Sequence, residues 1–191
     1  MKISLEKGGS ISLSKADDGL KKVLFGAGWD LNEGAGANFD LDISAVLRSG
    51  PKVSNPQNFV FYNNLKSPCE SVALSGDNRT GAGQGDDESI SVDLEKIPND
   101  IDSILFAISI HKAEERNQNF GQVNNSFVHL QNQATGKEIV SYNLAEQFSS
   151  ETLIIVGEIV KKSGEWIFEA KAEGRAGGLK GFLEEMGLEV A

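Results

Sequence analysis

With a single cysteine, Cys69, the 191-residue chain can form no intramolecular disulfide, and nothing in it calls for an oxidising compartment. Histidine is almost as scarce: His111 and His129 are the only two, too few nitrogen and sulfur ligands for a structural zinc site. No stretch approaches the ~18 apolar residues of a membrane span. The segment Met1–Gly9 carries Lys2 and Glu6 and has no unbroken apolar core, so it does not read as a secretory leader. Basic residues are outnumbered 18 to 28, giving a formal net charge of −10. Such a field repels phosphate backbones and anionic membrane surfaces, which argues against nucleic acid as a partner and against direct membrane insertion. The expectation is a soluble, cytoplasmic protein. No Gly-x-x-x-x-Gly-Lys phosphate loop and no Gly-x-Ser-x-Gly elbow occur either.

What the chain does have is glycine, 21 residues against four prolines, which suits many tight turns. Apolar residues alternate with period two along most of the chain. Ile3/Leu5 and Ile11/Leu13 bracket Gly8-Gly9 as an opening hairpin, and Val23/Phe25, Phe39/Leu41/Ile43 and Phe59/Phe61 follow. Val72/Leu74, Ile90/Val92/Leu94, Phe127–Leu130, Ile139–Leu144 and Trp166–Ala170 continue the pattern. Ile104–Ile110 and Leu153–Val156 are apolar on both faces, as strands at the centre of a sandwich are. Asn132–Gly136 and Lys161–Gly164 read as hairpin loops. Helical periodicity is confined to a turn near Ala113–Asn117 and the stripe Leu179/Phe182/Leu183/Met186. The chain is therefore expected to be one all-β domain over residues 1–191, a two-sheet antiparallel β-sandwich with one or two short helices.

The acids are gathered into two glycine-laced loops. The segment Gly28–Asp42 holds Asp30, Glu33, Asp40 and Asp42, and no Lys or Arg lies between Lys22 and Arg48. The segment Ser75–Glu88 holds Asp77, Asp86, Asp87 and Glu88 with one arginine, Arg79. Carboxylates so dense repel one another unless a cation neutralises them. Calcium takes 6–8 oxygen ligands in flexible geometry, whereas magnesium demands a stricter octahedron. Asp30, Asp40, Asp42, Asp77, Asp86, Asp87 and Glu88, with the amide oxygen of Asn78, are thus candidate calcium ligands. They are expected to meet at one end of the sandwich and to hold two ions, or to form two separate weaker sites. No EF-hand glycine follows Asp40-Leu41-Asp42, because Ala45 stands at the sixth loop position. The Asp-Leu-Asp triplet also matches metal motifs of glycosyltransferases and of haloacid-dehalogenase phosphatases, but both folds alternate strands and helices. Cys69 has no basic neighbour beyond Lys66 to activate it. No catalytic residue is assigned.

Read with their flanks, these loops resemble the TerD family of bacterial tellurite-resistance and general stress proteins. The matching segments are Gly28-Trp29-Asp30, Asn38–Asp42, Phe59–Leu65, Gly76–Gly81 and Gly85–Glu88, then Asn119–Val123, Gly164–Trp166 and Gly177–Leu179. They run in order along essentially the whole chain. The resemblance implies a sandwich distantly like a C2 domain, calcium at one end, and a non-enzymatic stress role. It also implies work alongside other soluble and membrane-embedded tellurite-resistance proteins, which would place the protein at the inner membrane through them. A relative described as binding cyclic AMP keeps a small-ligand reading open beside that of a metal-dependent phosphohydrolase.

Overall fold

The structure, a computed structural model, describes residues 7–34, 36–51, 53, 55–82, 85–144 and 148–188. The expected first strand Ile3/Leu5 and the loop residues Gly83 and Gln84 lie outside them. The strands are β1 (Ser10–Ser12), β2 (Lys22–Gly28), β3 (Leu41–Arg48), β4 (Phe59–Val60), β5 (Val72–Leu74) and β6 (Glu88–Asp93). They continue with β7 (Ser103–Ile110), β8 (Phe127–Asn132), β9 (Glu138–Asn143), β10 (Leu153–Lys162) and β11 (Glu165–Arg175). Helices are short: α1 (Leu13–Ala16), α2 (Ala113–Arg116) and α3 (Gly178–Glu185). Two antiparallel sheets form, in the orders β1-β11-β10-β7-β3-β4 and β5-β6-β2-β8-β9. No helix among the described residues is long and apolar enough to cross a membrane.

Side-chain parity explains the layering. Leu41, Ile43, Ala45 and Leu47 of β3, with Ile104, Phe106, Ile108 and Ile110 of β7, face inward and are buried. Phe106 stacks on Phe25 of the opposite sheet with ring centroids 4.7 Å apart. The alternate residues Val46, Leu105 and Ala107 face outward, where Phe182 and Met186 of the α3 segment cover them. That is why all eight residues of β7 are buried. By the same parity, Asp42, Ser44 and Ser109 belong to the outward face, and Asp42 sits opposite Ser109 in the β3–β7 register.

Two details depart from the sequence reading. Leu13 opens α1 instead of prolonging β1, because the Ser12 hydroxyl accepts from the Lys15 amide and caps a helical turn. β1 pairs with β11. The Phe59/Phe61 run shortens to the two-residue β4, since Phe61 bonds back to Asn64 in a tight turn.

Candidate metal centre

The first acidic loop leaves β2 and is fastened at its base. Trp29, 4% exposed, donates from its backbone amide to Asp87 Oδ2 (2.9 Å) and from its indole to the Phe39 carbonyl (3.1 Å). The second loop closes on that indole: Gly81 (φ +72°) lies against Trp29 so tightly that a Cβ there would sit 2.6 Å from the ring. Asn78 organises the loop locally. Its Oδ1 accepts from the Gly81 amide at 3.2 Å and from Thr80, and its Nδ2 donates to Asp87 Oδ1 at 2.8 Å. Asp77 is thereby held over the start of β3.

At this end of the sandwich Asp40, Asp42 and Asp77 converge, each offering a carboxylate oxygen within 4.8 Å of the others. Asp40 and Asp42 are buried, at 8% and 5% exposure. The cleft they share has a volume of about 380 Å³ and is also lined by Tyr62, Arg79, His111, Lys112 and Arg116. Arg79 Nε lies 2.9 Å from Asp77, Arg116 Nη1 lies 3.8 Å from Asp40, and His111 Nδ1 lies 3.4 Å from Asp42.

Glu88, 2% exposed, sits behind the trio. Its Oε2 accepts from the Ile43 amide at 3.0 Å and its Oε1 from the Asn78 amide at 3.2 Å. Among the described residues β4 pairs only with Ala45 and Val46, so at Ile43 the open edge of β3 is met by this carboxylate instead of a strand. Burial, reinforced by the Asp40 and Asp77 carboxylates, pushes the Asp42 carboxyl up to about 8. Burial likewise pushes Glu88 up to about 8 against its two amide bonds, with Asp42 and Asp77 adding to the rise. Asp40 is raised as well, first by burial. Left to themselves, Asp42 and Glu88 hold protons near neutral pH.

The other sequence candidates lie apart from the trio. Asp86 turns over Gly26 to meet His129, Oδ1 to Nε2 at 2.6 Å. Asp87 is occupied by Trp29 and Asn78, and exposed Asp30 accepts from Asn125 Nδ2 at 2.6 Å. Asp30, Asp86 and Asp87 form a second acidic group, since both neighbours raise the Asp87 carboxyl after burial does. The collar of Tyr62, Arg79, His111 and Arg116 was not foreseen. Its one legible signal was His111-Lys112 directly after the most apolar strand. Cys69 also differs from expectation: burial alone would raise its thiol, but hydrogen bonds with Ser67 and Ser71 outweigh that and hold it below its ordinary value.

The donor set suits a hard cation. Opposite oxygens around calcium stand at most about 5 Å apart, given bonds of ~2.3–2.6 Å, so a 4.8 Å grouping needs no contraction. The three ligands offered are oxygens and the nearest cysteine is elsewhere in the fold, which disfavours zinc.

Comparison with known proteins gives a consistent picture. The TerD domain family matches residues 1–186. General stress protein 16U of Bacillus subtilis (strain 168) is 49% identical over 192 residues, covering 100% of both chains. Tellurium resistance protein TerD of Serratia marcescens is 45% identical, again covering 100% of both. A crystal structure of a homologue of telluride resistance protein (TerD) from Streptomyces coelicolor A3(2) superposes with a TM-score of 0.76 at 23% identity. It covers 90% of this chain and 100% of that one, a likeness of fold.

Proposed function

The chain belongs to the TerD family, and from that premise we propose that it is a stress-response protein of the tellurite-resistance type that binds calcium. It works as a calcium-dependent interaction module and catalyses no reaction. The observation that carries this reading is the meeting of Asp40, Asp42 and Asp77 in one cleft, two of them buried. Ionised together, three carboxylates so close repel, and each charged pair ~4 Å apart would oppose the fold by about 4 kcal/mol at an effective dielectric of 20. A divalent ion turns that repulsion into attraction. Asp40, just before β3, and Asp42 within it hold one side of the ion, and Asp77 closes the other from a loop. Asp30, Asp86 and Asp87 are the place for the second ion expected from the sequence.

In the loaded state the two acidic loops are ordered and less negative, and they present a surface for another protein of the same stress response, membrane-embedded or soluble. The protein would act in the cytoplasm, reaching the inner membrane through such partners.

Isothermal titration tests the reading. Calcium is expected to bind with a dissociation constant of roughly 10⁻⁷–10⁻⁵ M, and an Asp40→Asn, Asp42→Asn double variant should show no heat at the first site. That variant should also fail to support tellurite tolerance in cells. Stoichiometric zinc uptake with no heat from calcium would overturn the metal assignment, and metal-dependent hydrolysis of a phosphomonoester would restore the phosphohydrolase.

A further inference from the structure

The acidic trio opens on a second groove of about 280 Å³ that shares Asp42, Tyr62, His111 and Lys112 with it. Its far wall is the start of α3, where Gly177, Gly178, Leu179 and Lys180 line the space. Gly177 and Gly178 both have positive φ, +87° and +55°, a turn that lets the backbone enter the groove without a side chain in the way. The Gly178 amide is taken up by Thr152 Oγ1 at 3.2 Å. The amides that follow belong to the first helical turn, which has no acceptors within the helix and carries the positive end of its dipole. On the floor lies Ser109, 2% exposed, a groove-lining residue whose hydroxyl takes part in none of the side-chain hydrogen bonds of the described residues. A hydroxyl with no protein partner in an otherwise buried wall is free to bond a ligand in the groove.

Charge points the same way only once a metal is bound, because Asp42, Glu114 and Glu115 in the groove's lining outnumber Lys112 and Lys180. The lining of the first cleft sets Asp40, Asp42 and Asp77 against Arg79, Lys112 and Arg116, three of each sign. A site built for a bare cation has no use for that many positive side chains. Adding one divalent ion leaves the cleft two units positive, with Lys112 and Lys180 facing the adjoining groove. Glu114 and Glu115 also line that groove, and Glu115 lies 3.7 Å from Lys112.

We propose that this groove is an oxyanion subsite, which takes the phosphoryl group of a ligand while one of that group's oxygens completes the coordination of the metal held by Asp40, Asp42 and Asp77. Ser109, the first-turn amides of α3, Lys112 and Lys180 hold the remaining oxygens. The inference rests on the calcium reading above and adds to it: the ligand that completes the site is anionic and binds together with the metal. Without the metal, that coordinating bond is missing and the Glu114 and Glu115 carboxylates of the same groove oppose an anion. Metal and phosphoryl ligand therefore strengthen each other by the same factor.

The test uses the full chain and phenylphosphonate, a phosphoryl mimic that cannot be hydrolysed. Calcium is titrated calorimetrically with and without saturating phenylphosphonate. The ligand is expected to tighten calcium at least about fivefold, the lower end of ordinary coupling, and to bind measurably only when calcium is present. Lys180→Gln changes one exposed side chain that lines the groove and not the metal cleft. In that variant, as in Ser109→Ala, calcium alone should bind within about threefold of the parent while the coupling falls below about twofold. Flotation with vesicles containing phosphatidic acid, against phosphatidylcholine alone, identifies the source. Calcium-dependent retention lost in both variants makes the ligand a lipid headgroup, and coupling to the soluble phosphonate without retention makes it a free phosphorylated molecule. Calcium binding with no response to phenylphosphonate overturns the subsite and leaves the calcium reading standing. Absence of calcium binding removes both.

Discussion

Raising the pH of the chelated protein from 5.5 to 7.5 should destabilise it, and the size of the effect follows from Asp42 and Glu88. In the unfolded chain the two acids titrate at their ordinary values, 3.8 and 4.5, while in the fold both are pushed up to about 8 by burial and by each other's neighbours. Between those limits the native state holds two protons that the unfolded state has released. Stability is therefore greatest on the acid side of the window and is lost as pH rises toward 8. Each retained proton is worth at most about 1.4 kcal/mol per pH unit. Two groups over two units set an upper limit of roughly 5 kcal/mol. Asp42 opens on a wet cleft and titrates jointly with Glu88, so about half of that limit is expected. For a chain of this length, 2–3 kcal/mol corresponds to a fall in Tm of roughly 5–10 °C. Asp17, Glu151 and Glu169, whose carboxyls are held below their ordinary values of 3.8, 4.5 and 4.5 chiefly by hydrogen bonds, begin to lose their contribution only as pH falls toward those values, below the window. Thermal melts followed by circular dichroism, in chelator and in saturating calcium, read the effect directly. With calcium the Asp42 share of the slope should vanish, because the ion takes the place of its proton. A chelated protein whose Tm is flat or rising from pH 5.5 to 7.5, and unchanged by Asp42→Asn, would show that these carboxyls are ionised in the fold and that the reasoning fails.

Three further changes separate the parts of the site. Gly81→Ala puts a Cβ 2.6 Å from the Trp29 ring at a left-handed φ, so it should lower stability by about 2 kcal/mol or more in urea unfolding and shift the Trp29 emission. Glu88→Ala strips the acceptor from two backbone amides and should lose about 2–4 kcal/mol while weakening calcium only indirectly, through the displacement of Asp42 and Asp77. Asp86→Asn keeps a partner for His129 and should leave the tighter calcium step within about threefold, whereas Asp42→Asn removes that step. A titration in which Asp86→Asn is as damaging as Asp42→Asn would move the principal site to the other acidic group.

The fold was legible where periodicity acts locally. Ile104–Ile110 was readable as a central strand because burial on both faces keeps every position but Ser109 apolar, and the stripe Leu179/Phe182/Leu183/Met186 became α3 because its apolar face has the outer side of β7 and β10 to cover. α1 was missed because four residues are too few to show a period, and it depends on one hydroxyl, that of Ser12. Within the site, Asp40 and Asp42 stand two residues apart, and parity alone puts them on one side of β3. Which acids of the second loop join them depends on how thirteen residues between Leu74 and Glu88 close. That closure runs through Asn78 and the contact of Gly81 with Trp29, long-range packing that no local pattern announces. The cationic collar was illegible for the same reason: Arg79 joins His111 and Arg116 only once the two sheets are stacked.

The short β4 has a consequence for behaviour in concentrated solution. A strand edge with free amides and alternating Leu41, Ile43, Ala45 and Leu47 is a template for pairing with another chain. Here a single carboxylate, that of Glu88, covers the Ile43 amide and is held in place by the Asn78 loop. Whatever loosens that loop uncovers the edge. Stripping the protein of divalent ions at alkaline pH, where Glu88 gains its charge and is driven from its neighbours, therefore unmasks a sticky strand, and light scattering should rise with protein concentration under those conditions before any strand of the core has melted.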